Sequence, residues 1–434
     1  MQVTEAQNPQ QAPSIIKLSA VCHLAQEKHD TSLVTQDNIM LPFSIKSENE
    51  GAGGWPVGQQ PLYREEEARM GKIHKSIIVA VALVSTAPAW AASAGETASA
   101  PQQAEGTVAM PAASIPFSAY ASPEARRYFE THVRDERPSF ADIFAARKYY
   151  DRWNAEQAAR AREIYAVDVQ SEIMAGVQVD IVTPAKGVAP ENRHRVLINL
   201  HGGAFAWGAR FGGQAESIPV AALGRIKVVT VDYREGPEHR FPAASEDVAA
   251  VYSELLKTYP ARNIGIYGCS AGGILTAEAL AWFQKHKLPR PGAVGLLCSG
   301  AGDMDGDSAF TGPILTGDRP VASEETRLSP RQLPYFQGAD LNDPLVIPIA
   351  SDDVMRNFPP TLIMTATRDI AMSSAINTFN RLRQLGVTSE LRLWDGLWHA
   401  FMVVPELPES RDAYGVVVAF FNKHLGRTSA GHRQ

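Results

Sequence analysis

The five residues Gly268-Cys269-Ser270-Ala271-Gly272 stand between a continuous apolar run, residues 264–267, and a stretch of helical periodicity, residues 272–285. A strand that passes directly into a helix leaves little room for a turn, and glycines flanking the serine remove the Cβ atoms that such a turn would crowd. The junction predicts a strand, a tight turn and a helix, with a serine hydroxyl held out at the turn. Similar apolar runs occur at 168–173, 178–183, 196–200, 228–233, 294–298, 361–366 and 390–394. Several are uninterrupted rather than alternating, as strands buried on both faces of a parallel sheet must be. Helical stretches at 243–258, 371–385 and 411–425 lie among them, and two helices over 123–166 precede the sheet, with Ser139 and Asp142 as an S-x-x-D start. The alternation predicts an α/β chain with a mostly parallel central sheet flanked by helices.

The amino-terminal region follows a different grammar. Residues 1–69 are rich in Gln, Asn, Ser and Glu without a sustained period, and read as a disordered or non-native extension. From Met70, Lys72 and Lys75 precede an apolar stretch at 76–84 and small residues at Ala89-Trp90-Ala91, the pattern of a signal peptide over 70–91. Translation is accordingly expected to begin at Met70, with Glu65-Glu66-Glu67 as a translated ribosome-binding site, and the mature protein is expected in the periplasm or secreted. Residues 92–115 read as a flexible linker, 116–426 as the folded unit and 427–434 as a disordered tail. The Pro-rich segment 303–353 breaks the alternation and, together with 116–166, is expected to form a cap over the sheet.

Chemistry converges on a few positions. A serine hydroxyl is a weak nucleophile until a base takes its proton and a third group orients that base. Gly268 to Gly272 has the G-x-S-x-G form of a nucleophile elbow, and in sheets of this kind the acid and then the histidine follow in chain order. Downstream of Ser270, His286 lies in the nucleophile's own helix, His424 in the last helix and His432 in the tail, which leaves His399 as base. Asp369, at the end of the run 361–366, is the acid expected, with Asp395 and Asp353 as weaker alternatives. Upstream, His201-Gly202-Gly203-Ala204-Phe205 follows a strand, and the backbone N–H groups of Gly202 and Gly203, with that of Ala271, are expected to form an oxyanion hole. Phe205 and Trp207 follow directly and would either line an acyl pocket or pack in the core.

These residues together resemble the bacterial hormone-sensitive lipase-like esterases of the α/β-hydrolase fold. The HGGAF loop, Val231-Asp232-Tyr233-Arg234, Pro237-Glu238-His239, Phe241-Pro242-Ala243-Ala244, the elbow, Asp343-Pro344-Leu345, Asp369 and His399 occur in that family's order. The resemblance implies a helical cap, a cofactor-free acyl-enzyme mechanism and short-acyl ester substrates; a lactone hydrolase with the same triad, or a ligand-binding member with weak chemistry, are the rival readings. Two departures stand out: Ala204 replaces the loop's third glycine, and Cys269 replaces the usual acidic or small hydroxyl residue before the nucleophile.

Several classes are disfavoured. A formal net charge of -6 lacks the basic surface of a nucleic-acid binder. Cys22, Cys269 and Cys298 are too few and too irregular for a disulfide framework or a zinc site, and Asp303-Met304-Asp305-Gly306-Asp307 misplaces its glycine for calcium, so no metal and no cofactor are expected. The partner expected is a small-molecule ester or lactone, with no stable membrane span once the signal is cleaved, and the sequence does not fix an oligomeric state.

Overall fold

The computed structural model describes residues 114–132, 138, 142–317 and 332–426, all within the compact unit 101–434. The expected extension, signal peptide, most of the linker and the tail lie outside the described residues. So do Ser139 and part of segment 303–353.

Eight strands form one sheet: β1 (Val167–Met174), β2 (Val177–Pro184), β3 (Val196–Leu200), β4 (Lys227–Val231), β5 (Ile264–Cys269), β6 (Ala293–Leu297), β7 (Thr361–Arg368) and β8 (Ser389–Trp398). Their spatial order is β1-β2-β4-β3-β5-β6-β7-β8. β1 and β2 pair antiparallel, as do β2 and β4, and every later pairing is parallel. The strands that read as continuous apolar runs, β3 to β7, are the ones buried on both faces, whereas β1, with mostly exposed residues, sits at the edge.

Alternate residues along the central strands feed two cores. One face gathers Ile198, Val229, Ile266, Leu296 and Ile363 beneath α4 (Ala243–Leu256), α5 (Ala271–Lys285) and α8 (Met372–Gln384). The other gathers Leu197, Val228, Tyr267, Leu297 and Met364 beneath α3 (Phe211–Gly224) and α9 (Pro408–His424). Truncating a buried leucine in either layer, such as Leu297→Ala, would cost about 2–5 kcal/mol.

Two helices precede the sheet, α1 (Pro123–His132) and α2 (Ile143–Ile164). Asp142 caps α2 as the N-cap residue itself, its side chain accepting the Ala145 N–H at 3.0 Å, rather than as the fourth residue of a start at Ser139. Segment 303–353 contributes α6 (Asp307–Thr316) and α7 (Asp352–Arg356) with short 3-10 turns at Pro334–Phe336 and Pro348–Ala350. The helix α3 has no counterpart among the helical stretches named from the sequence. No helix among the described residues is long and apolar enough to cross a membrane.

Candidate active site

The carboxyl ends of the parallel strands are where functional groups collect in open α/β sheets. β5 ends at Cys269, and the chain reverses into α5 through Ser270, whose backbone is held at φ 55, ψ -120, a conformation that costs energy for a residue with a Cβ. The turn persists because the surroundings over-determine it. The Ser270 N–H bonds to the Leu297 carbonyl at 2.8 Å, and a Cβ on Gly272 would stand 1.7 Å from the Leu200 carbonyl oxygen, so only glycine lets α5 approach β3 this closely.

β7 and β8 deliver the other two side chains. His399, directly after β8, places Nε2 2.8 Å from Ser270 Oγ and Nδ1 2.6 Å from Asp369 Oδ1. Asp369, directly after β7, is fully buried; its Oδ1 also accepts the Ala371 N–H at 2.9 Å and its Oδ2 the Thr365 hydroxyl at 2.8 Å. Burial pushes this carboxyl upward, but the His399 ring and the three hydrogen bonds outweigh it and hold it below the ordinary aspartate value. The structure therefore brings Ser270, His399 and Asp369 into one hydrogen-bonded line. Asp395, the nearer alternative in sequence, lies within β8 and accepts from Ser118 and Thr367 instead.

The loop after β3 is arranged differently from the sequence expectation. The Gly202 N–H donates to Glu216 Oε1 at 2.8 Å, so Gly202 is not available as an oxyanion donor. Burial holds His201 at about 4, well below the usual histidine value; its ring is neutral, and Nδ1 faces the Gly202 carbonyl at 2.9 Å as donor. A trans peptide carries its C=O and N–H on opposite sides. With the Gly202 carbonyl turned to His201, the Gly203 N–H points the other way; with the Gly203 carbonyl taken by the N–H groups of Ala206 and Trp207, so does that of Ala204. Among the described residues no acceptor takes the N–H of Gly203, Ala204 or Ala271. The donors on offer are these three, and Ala204 replaces Gly202 in the expected set.

Phe205 is fully buried, stacked on Tyr335 at 4.7 Å between ring centroids and edge-on to Phe336 at 5.0 Å; Trp207 stacks on Tyr150 of α2 at 4.8 Å. These contacts place both rings in core packing that fastens the loop, one of the two roles expected for them.

A family model described as alpha/beta hydrolase fold matches residues 197–403. LipR of Mycobacterium tuberculosis, which bears an acetyl-hydrolase name, is 31% identical over 281 residues, spanning 64% of this chain and 88% of that protein. The crystal structure of an esterase, 31% identical, superposes with a TM-score of 0.65 over 74% of this chain and 100% of its own. This chain belongs to the bacterial hormone-sensitive lipase-like esterases. An esterase structure from that family, at 24% identity and a TM-score of 0.60 over 70% of this chain and 99% of its own, shares the fold. An acetyl-hydrolase of Streptomyces hygroscopicus is 28% identical over 256 residues, 57% of this chain and 83% of that protein. The protein is a serine ester hydrolase.

The esterase carries two features near its site that the sequence did not flag. Cys298, at φ 49 just beyond β6, is buried with its sulfur within 4.8 Å of the ligand atoms of Asp369 and His399 and accepts the Ala400 N–H at 3.3 Å. Asp369 Oδ1 and His399 Nδ1 are hydrogen-bonded to each other. Cys269 and Cys298 are free thiols, both packed against the Met402 sulfur at 4.0 and 3.8 Å. The second feature is Glu216, enclosed beneath the Gly202 loop; as the one ionisable residue within a helix that lacks a clear period, it gave no signal in the sequence.

Proposed function

We propose that the protein hydrolyses short-acyl carboxylic esters through an acyl-enzyme formed on Ser270. The observation that carries this reading is the hydrogen-bonded line from Ser270 Oγ through His399 to the buried Asp369, beside three untaken backbone N–H groups. Ser270 Oγ attacks the ester carbonyl carbon while its proton passes to His399 Nε2. Asp369 holds the proton on Nδ1, which keeps Nε2 free to accept, and stabilises the imidazolium that forms. The carbonyl oxygen becomes an alkoxide that the N–H groups of Gly203, Ala204 and Ala271 receive. Collapse breaks the bond to the alcohol oxygen, which takes the proton from His399 and departs. Water, deprotonated by the same nitrogen, then cleaves the acyl-Ser270 bond and releases the acid.

The acetyl-hydrolase names of the relatives from Mycobacterium tuberculosis and Streptomyces hygroscopicus support a short acyl group. Helices α1 and α2 and the segment 303–353 are proposed as the cover over this end of the sheet, with α2 and the turn at Pro334–Phe336 both touching the loop after β3. The test is hydrolysis of p-nitrophenyl acetate, butyrate and octanoate by wild type and Ser270→Ala. Serine-dependent turnover that falls with chain length is expected. A folded wild type inactive on all three, or an active Ser270→Ala, would sink the reading; activity confined to lactones would redirect it.

A further inference from the structure

Glu216 is a carboxylate with 3% exposure, delivered by α3 into a ring of donors. Oε1 accepts the Gly202 N–H at 2.8 Å, Oε2 accepts Asn199 Nδ2–H at 2.9 Å, and the Cys269 backbone also hydrogen-bonds to it. The Asn199 amide is itself oriented, since its Oδ1 accepts the Thr230 hydroxyl at 2.7 Å. A Cβ placed on Gly202 would stand 3.5 Å from Glu216 Oε1, 3.0 Å from the Cys269 carbonyl oxygen and 3.4 Å from Ser270 Cβ. One carboxylate thus touches the loop after β3 and the serine turn where the two meet.

Enclosing an acid here is costly. Burial pushes Glu216 up to about 7, and no cation compensates. An apolar side chain would fill the same space at lower cost, as Ile218 and Val220 do elsewhere on α3. The side chain of Cys269, a thiol packed on Met402, offers the loop no oxygen acceptor. What the carboxylate supplies is orientation: with the Gly202 N–H fixed to Glu216 and the Gly202 carbonyl fixed to His201, the peptide that follows has one direction left for its own N–H.

We propose that Glu216 is the positioning residue of the oxyanion hole, tying the Gly202 peptide to the backbone of the serine turn so that the Gly203 and Ala204 N–H groups are preset for the tetrahedral intermediate. This rests on the ester-hydrolase reading above.

Steady-state hydrolysis of p-nitrophenyl acetate and inhibition by phenylboronic acid, which forms a tetrahedral adduct on a serine, are measured for wild type, Glu216→Gln and Glu216→Ala. Thermal melting confirms that each variant is folded. Glu216→Ala is expected to lose about 10²-fold in kcat and Glu216→Gln, which keeps one acceptor, about tenfold, each with KM within about twofold. The inhibition constant for phenylboronic acid should rise by the same factor as kcat falls. A residue that only filled space would move stability and folded fraction without this split between kcat and KM. Should Glu216→Ala not fold, Glu216→Gln carries the test alone. Folded variants with wild-type kcat, or with a lower kcat but unchanged boronic acid affinity, overturn the proposal while leaving Ser270-dependent hydrolysis standing. A wild type whose hydrolysis does not depend on Ser270 would overturn both.

Discussion

Arg147 of α2 donates its Nε–H to the Ala206 carbonyl at 2.7 Å, and with that single bond a helix from before the sheet grips the loop beside the nucleophile. The same guanidinium reaches the Gly236 carbonyl at 2.8 Å and forms a fork with the Glu238 carboxylate at 2.8 and 2.9 Å. Three acceptors in three directions suit a planar group with five donors and do not suit an ammonium. Arg147→Ala is expected to lower stability by about 1–3 kcal/mol, since the charged hydrogen bonds are partly solvated. Arg147→Lys should recover little of it. Urea unfolding midpoints decide, and a lysine variant equal to wild type would contradict this account.

Gly203 has φ +129, and a Cβ there would stand 1.8 Å from the Trp207 carbonyl oxygen, a backbone atom that cannot swing aside. Gly203→Ala should therefore displace the loop and reduce kcat by at least about 10²-fold. A matched control lies in α9, where a Cβ on the exposed Gly415 meets nothing within 4 Å. Gly415→Ala should leave kcat alone and raise stability by about 0.5–1 kcal/mol. Equal behaviour of the two variants would show that alanine is tolerated or rejected for reasons unrelated to the loop.

Asp369 accepts from His399, Ala371 and Thr365 at once. Asn in its place would present an amide N–H to one of these donors and favour the wrong tautomer of His399. Asp369→Asn is expected to cost about 10⁴-fold in kcat. Labelling of Ser270 by a fluorophosphonate should slow in parallel; unchanged labelling would locate the defect elsewhere.

Glu235, in the loop after β4, is pushed up to about 8 by burial, with Asp151, Asp232 and Glu238 adding to the rise and Arg147 opposing it. An acid raised from 4.5 holds a proton in the folded state that the unfolded chain has released, so its contribution to stability is intact below the unfolded value and is lost as pH rises towards about 8. His201, held at about 4, acts in the opposite sense at lower pH, but it is common to wild type and variant. Glu235→Gln should melt close to wild type at about pH 5 and higher than wild type at about pH 8.5. A Tm difference that does not change with pH would remove Glu235 as the cause.

The parts of the fold that could be read from the sequence are those whose pattern is set by their own surroundings. Strands β3 to β7 are apolar on both sides because both sides are covered, and the triad could be located because strand ends and chain order constrain it. Helix α3 was missed for the converse reason. It is buried around most of its circumference and carries Gly212, Gly213 and Pro219, so it has neither an apolar stripe nor a helix-forming composition. Gly202 was misassigned because the direction of a peptide N–H depends on partners distant in sequence, here Glu216 and the ring of His201. For Phe205 and Trp207 adjacency left an acyl-pocket role and a core role both open, and it is Tyr335, from segment 303–353, and Tyr150, from α2, that cover their faces.

The three members of the triad sit after β5, β7 and β8, and the hydrogen bond between His399 and Ser270 spans 129 residues of chain. Among the described residues β8 is the last strand and pairs with β7 alone, at the edge of the sheet. On the proposed mechanism, a chain emerging from synthesis holds its nucleophile long before the base that would activate it. On that mechanism a molecule whose β8 has not docked would be inert towards esters, and the appearance of activity would timestamp the closing of the sheet.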